Sequence, residues 1–394
     1  MRGFYTILPT LSPDFSGVCS TLFELGGIVV IHDAGGCTGT YTGYDEPRWF
    51  DQRSRIFTSN LDDAEAVFGD DSILLNKVLS ADEWLDSKFF ALLGSPSPAV
   101  LGTDYAALAR LVEKRTGKKA MSFSTKGTEF YDKGVAAALL GIAKTFLPDE
   151  RPAVRPRAVN LLGATPLDLT GRHNVEAAVT LFEEAGYSVQ SVWAMGSSLE
   201  QISGSLSAQC NVALTVSALP VCRYLQERYD MPYVVGRLSG VKPVEAFWRE
   251  LDQSMGCGAA AELRPTAPAH DGPTALVVGE QLLSNGVREA LQQDCGFSNV
   301  EVCTFFDSEP ALQQPGDQGH ISESQLEERI RSGAYEWIVG DAMLRELDAS
   351  DSPRRFIELP HVAVSSRLGW TNRTCPFGKA FLKLVQDAME QEPV

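Results

Sequence analysis

Two stretches of this chain carry too much proline to continue any regular element, and each is followed at once by a short apolar run. Pro148, Pro152 and Pro156 fall within residues 148–156, and Pro265, Pro268 and Pro273 within residues 264–273. Proline fixes φ and has no amide N–H to give a helix or a sheet ladder, so both stretches read as joints. After the first comes Ala158-Val159-Asn160-Leu161-Leu162-Gly163, and after the second Ala275-Leu276-Val277-Val278-Gly279. Strand, glycine turn and helix in that order open a parallel α/β domain. A chain of 394 residues is also too long for one typical core. Three units are therefore expected, at 1–150, 151–268 and 269–394.

The periodicity within the units agrees. Residues 173–186 have helical spacing, 188–193 return to a strand pattern and 212–216 form another strand; a helix through Tyr229 and a strand at 232–235 follow. In the last unit, helix 282–293, strand 300–305, helix 324–332 and strand 337–340 alternate. This alternation predicts an α/β fold of three Rossmann-like domains, each with an open parallel sheet flanked by helices. In the first unit, residues 25–32 place glycines before β-branched residues and read as a buried strand. The turn that follows, Asp33-Ala34-Gly35-Gly36, has no bulky side chain, and Cys37 projects at its end.

Composition narrows the function. A net charge of −17 argues against a nucleic-acid partner, which would demand clustered Lys and Arg. No run reaches the roughly 18 apolar residues of a membrane span, and the first residues lack a secretory pattern, so no membrane partner and a cytoplasmic location are expected. Eight scattered cysteines in an acidic chain fit a reducing compartment better than a disulfide framework. No Gly-x-x-x-x-Gly-Lys-Ser/Thr loop is present, so the chain is not expected to hydrolyse ATP. Residues 160–165 lack the Gly-x-Gly-x-x-Gly spacing of a nicotinamide site.

Cys19 and Cys37 bracket the first strand, and Phe57-Thr58-Ser59-Asn60 and Val67-Phe68-Gly69 follow soon after. This order of residues resembles the nitrogenase component 1 family, which includes the nitrogenase subunits and tetrapyrrole-reducing relatives. Residues 225–233 and Gly279-Glu280-Gln281 extend the resemblance, more diffusely, along the chain. It implies that Cys19 and Cys37 bind an iron–sulfur cluster. The family's third cysteine, ahead of a proline, matches Ser97, a candidate ligand or a hydrogen-bonding substitute. Two cysteines cannot complete a four-thiolate shell, but two chains about a two-fold axis can. A homodimer bridged by a 4Fe-4S cluster is the expected assembly, with two incompletely ligated clusters as the alternative. The cysteine that holds the large nitrogenase cofactor has no match at Leu214, Thr215, Val216 or Ser217, which argues against dinitrogen reduction and leaves any further metallocofactor open. Cys222 reads as a core thiol. His32 either orients Cys37 or is a satisfied histidine at a strand end.

The catalytic candidates are Cys375 and His361, each either structural or lining a cavity between domains, with Trp370 and Phe377 placed to flank a flat substrate. The resemblance implies an electron-accepting reductase component that reduces a small molecule or tetrapyrrole, served by a nitrogenase-reductase-like, ATP-dependent iron–sulfur protein. A metallocluster scaffold or carrier without turnover is the rival, and a cluster-free binding protein the third reading.

Overall fold

The computed structural model describes residues 5–262, 271–348 and 354–391. They form three four-stranded sheets in which every pairing between strands is parallel. The first sheet contains β1 (Ile28–Ile31), β2 (Ile56–Thr58), β3 (Phe90–Leu93) and β4 (Ala120–Phe123) in the order β2-β1-β3-β4. In the second, β5 (Ala158–Leu162), β6 (Ser188–Val192), β7 (Cys210–Ala213) and β8 (Tyr233–Val235) run in the order β6-β5-β7-β8. The third repeats it with β9 (Ala275–Val278), β10 (Val300–Cys303), β11 (Trp337–Gly340) and β12 (Arg355–Glu358), ordered β10-β9-β11-β12.

Helices cover both faces of such sheets, so the inner strands read as continuous apolar runs rather than as alternation. β1, β3, β5 and β9 are buried along their whole length. The strand expected at 212–216 stops at Ala213, and Val216 lies in a 3₁₀ turn, Val216–Ala218. Pro220, in the first turn of the helix Leu219–Tyr229, starts a helix at once and leaves no room for the strand to continue. Of the second joint, residues 264–270 lie outside the described residues.

In each sheet the first strand passes to one neighbour and the chain then crosses to the other side, which puts a topological switch point between β1 and β3, β5 and β7, and β9 and β11. Ligands of open α/β sheets bind outside the carboxyl ends of strands at such points.

Two helices lock the first sheet to its surroundings. Helix Asp14–Leu22 crosses helix Tyr131–Phe146 with backbones in contact. A Cβ at Gly17 would lie 1.9 Å from the Tyr131 carbonyl oxygen, and one at Gly134 would lie 1.8 Å from that of Asp14. The crossing delivers Tyr131 to the junction of all three sheets. From the other direction, Glu323 accepts the backbone N–H groups of Thr6 and Leu8 at 2.7 Å each, tying the first residues to the third sheet's unit.

Candidate functional site

At the β1 switch point the chain turns through Gly35, whose φ of 117° lies in the left-handed region that glycine tolerates, into the short helix Gly36–Thr40. The Asp33 carboxylate organises this turn, accepting the N–H of Gly35 at 2.7 Å and of Cys37 at 2.9 Å. The Cys37 thiol lies against the side chains of Asp33 and Ser95, and burial beside Asp33 pushes it up to about 11. His32 does not orient Cys37: its Nδ1 pairs with the Ser59 hydroxyl at 2.8 Å, and its ring meets Tyr105 edge-on.

Cys37 borders a cavity of about 490 Å³ whose walls include Leu11, Phe15, Tyr44 and Phe130, with Asp45 and Glu129 as carboxylates. A π turn, Tyr41–Asp45, directs the Asp45 carboxyl onto the hydroxyls of Ser12 and Ser16, at 2.8 and 2.6 Å. Burial pushes that carboxyl up to about 6.

Cys19 does not reach this cavity. It sits in helix Asp14–Leu22, completely buried, where every residue of the helix faces protein. Burial and the neighbouring carboxylates of Glu46 and Asp45 push its thiol up, and Glu46 is committed to Arg48, Tyr41 and Ser20. Ser97 is exposed; Ser95, two residues earlier, is the serine that meets Cys37. An iron–sulfur cubane takes four ligands, usually thiolates. Among the lining residues, Cys37 is the single thiol at the cavity. Among the described residues no three His, Cys, Asp or Glu side chains converge as a metal site. Within one chain, Cys37 borders the cavity while Cys19 lies in the core of the neighbouring helix.

The switch points of the second and third sheets face one another. After β5 the turn runs into the short helix Pro166–Leu169, which carries Asp168; after β9 comes Glu280, the N-cap of helix Gln281–Gln293. Tyr131 donates its phenol O–H to Asp168 Oδ1, Thr165 donates to Oδ2 at 2.7 Å, and His361 Nε2 lies 3.1 Å from the Tyr131 oxygen. The Asp341 carboxylate accepts the His361 backbone N–H at 2.8 Å, and Phe306 packs edge-on against both Tyr131 and His361. Glu280 accepts N–H groups from Val216 and Leu283, at 2.7 and 2.9 Å. It is buried, and this burial, reinforced by the Asp168 charge, pushes its carboxyl up to about 8. Burial next to Asp168 likewise raises the Tyr131 phenol.

Asp168, Glu280 and His361 line a cavity of about 50 Å³, enough for a few waters or a small polar molecule. Of the sequence candidates, His361 is at this cleft. Cys375 is not among its lining residues: its neighbours Thr374 and Pro376 are, while Cys375 packs half-buried against the second sheet's core. Trp370 stacks edge-on against Phe50 at 5.6 Å and Phe377 is buried in that same core, so neither flanks the cleft. Nothing in the sequence singles out Tyr131 or Asp168, and Glu280 stands there only within Gly279-Glu280-Gln281. The Gly279-Glu280 pair after an apolar run was the one available signal, since it marks a strand's carboxyl end.

Three parallel sheets with their switch points turned towards shared cavities define a three-sheet, Rossmann-type α/β protein with its chemistry at the strand ends. Residues 15–366 match the family model for nitrogenase component 1 type oxidoreductases, and the chain belongs to that family. One subunit of the light-independent protochlorophyllide reductase of Synechococcus sp. (strain RCC307) is 34% identical over 103 residues, 26% of this chain and 19% of that protein. Its counterpart in Rubrivivax gelatinosus (strain NBRC 100245 / IL144) is 25% identical over 221 residues, 51% of this chain and 40% of that protein. The chain thus spans less than half the length of these curated relatives. A solved structure titled "Nitrogenase Cp1 at pH 6.5" superposes with a TM-score of 0.72 at 14% identity, covering 100% of this chain and 96% of that one, a likeness of fold. Among the described residues no helix is long and apolar enough to cross a membrane.

Proposed function

We propose that this chain is the substrate-reducing component of a nitrogenase-like, two-component reductase, with units 1–150, 151–268 and 269–394 meeting around the substrate. Electrons come from a separate ATP-hydrolysing iron–sulfur protein, and a small molecule is reduced in the cleft between the three sheets. The observation that carries this reading is the convergence of Asp168, Glu280 and His361 on one cavity, with Tyr131 hydrogen-bonded to Asp168 and His361 behind it. Reduction consumes protons with electrons, and the cleft holds groups that keep protons at neutral pH away from bulk water.

Size favours a small substrate. Pockets for drug-sized organic molecules run to roughly 300–1,000 Å³, and the cleft measures about 50 Å³. A tetrapyrrole substrate, favoured by the names of the curated relatives, would require the units to part. Cys37 is the thiol of this chain placed to touch a cluster, and the remaining ligands would have to come from another chain. The scaffold reading differs in needing no proton-holding cleft.

Anaerobic purification with iron and sulfide analysis of the wild type and Cys37→Ala tests the cluster contact: loss of iron in the variant alone is expected. Turnover is then assayed with a nitrogenase-reductase-like protein, ATP and small reducible substrates. Reduction that needs both ATP and the second protein is the expected result. ATP hydrolysis by this chain alone, or iron bound and released without any reduction, would count against the reading.

A further inference from the structure

His361 borders the cleft with one ring nitrogen engaged and the other free. Its Nε2 lies 3.1 Å from the Tyr131 oxygen and 3.6 Å from Asp168 Oδ1. A phenol has one proton to give, and that of Tyr131 goes to Asp168. The Tyr131 oxygen is then left to accept from His361, which places the ring proton on Nε2. In the neutral ring the lone pair sits on Nδ1. That nitrogen pairs with no group among the described residues and is not an enclosed atom, although His361 as a whole is only 5% exposed. Because the residue lines the cavity, Nδ1 opens onto it as an acceptor.

We propose that the cleft takes a small hydrogen-bond donor, neutral or cationic, whose N–H or O–H is received by His361 Nδ1, and that it turns away oxyanions. The proposal rests on the reductive reading above and adds to it the class of substrate and the residue that selects it. The rest of the lining has the same polarity. Asp168 and Glu280 are held by neutral donors alone, Tyr131 and Thr165 on the one, the Val216 and Leu283 amides on the other. Among the described residues that line the cleft none is lysine or arginine, so no cation there would offset an entering negative charge. Thr170 and Ser284, 2% and 4% exposed, add hydroxyls that also lack a partner among the described residues and can turn to donate or accept. An oxyanion would set lone pairs against the Nδ1 lone pair and its charge against Asp168, a juxtaposition that costs most where water is excluded. A molecule of two or three heavy atoms suits the space of about 50 Å³.

Nitrogen-15 spectra of the full-length chain labelled at histidine test this without a partner protein, and with five histidines the signals are few. A neutral ring protonated on Nε2 is expected, its signals missing in His361→Leu and moved towards the Nδ1–H tautomer in Tyr131→Phe. Titration with hydroxylamine should shift the Nδ1 signal, and nitrite, of similar size but without a donor, should bind at least about tenfold more weakly. Hydroxylamine affinity should fall about tenfold in folded His361→Leu. A charged ring or an Nδ1–H tautomer in the wild type, nitrite bound as tightly as hydroxylamine, or undiminished hydroxylamine binding in the variant would overturn the proposal. Binding as expected without any reduction dependent on ATP and the second protein would instead overturn the reading beneath it.

Discussion

Glu280 holds its carboxyl where ionisation is costly, and that cost has a direction in pH. An acid whose folded-state pKa lies above its ordinary value of 4.5 weighs nothing on stability while both states are protonated. As pH climbs from 4.5 towards about 8, the unfolded chain ionises and the folded one does not, so stability falls until the penalty is complete. Thermal unfolding should therefore show the wild type losing stability across this window. Glu280→Gln should flatten that loss by something on the order of a few kcal/mol, and an unchanged pH slope in the variant would contradict the assignment. The two cysteines that resembled a pair divide at the same scale. Cys19→Ala removes a core sulfur and should cost about 1–2 kcal/mol in urea unfolding. Cys37→Ala should leave stability nearly unchanged and remove one of the thiols that an alkylating reagent modifies in the folded chain. Sequence showed that both positions carry sulfur but not which way the sulfur points. Every residue of the helix around Cys19 is buried, including Asp14, Ser16, Ser20 and Thr21, so no polar stripe marked its inner face.

The elements were far more legible. Strands buried on both faces announce themselves as short apolar runs, and prolines mark where each unit begins, which is why β5 and β9 start where the joints end. The site was not legible in the same way. Tyr131, Asp168 and Glu280 each look like an ordinary polar residue near a helix start, and only the facing of the second and third switch points, with the helix after β4 reaching Asp168, makes them neighbours. Elements also carry the strictest packing demand in the molecule. Neither Gly17 nor Gly134 can accept even a methyl group without striking the opposite backbone. Gly134→Ala should cost more than about 3 kcal/mol in denaturant unfolding, against nearly nothing for Gly39→Ala, whose Cβ would meet open space. Equal effects of the two substitutions would show that the helices do not cross as closely as described. At the β1 turn, Asp33→Ala leaves the Gly35 and Cys37 amides without their acceptor and should destabilise the chain by about 1–2 kcal/mol.

Across the whole molecule, one continuous apolar core reaches all three sheets, through Val29 and Leu93, Leu162 and Ala213, and Leu276 and Ile338, and polar contacts add to it. Tyr131 follows the first sheet, Asp168 lies in the second and His361 follows the last strand of the third, and Glu323, also near the third sheet, fastens Thr6 and Leu8. Glu323→Ala should free the segment before Leu11, and limited proteolysis should cut there sooner while the sheets persist. A cleavage pattern identical to the wild type's would show that the carboxylate does not hold the segment. The glycine crossing has a mechanical meaning at this scale. Each helix carries a notch that receives a carbonyl of the other, so the pair can neither slide nor turn about its axes. A cleft that widens to admit a larger guest must therefore carry Tyr131 along with the first sheet as one rigid arm. The proline-rich stretch at 148–156 offers no loose hinge for that motion, since Arg151 donates to the carbonyls of Leu206 and Ala208 and Tyr229 to that of Pro148, fastening it beside the second sheet.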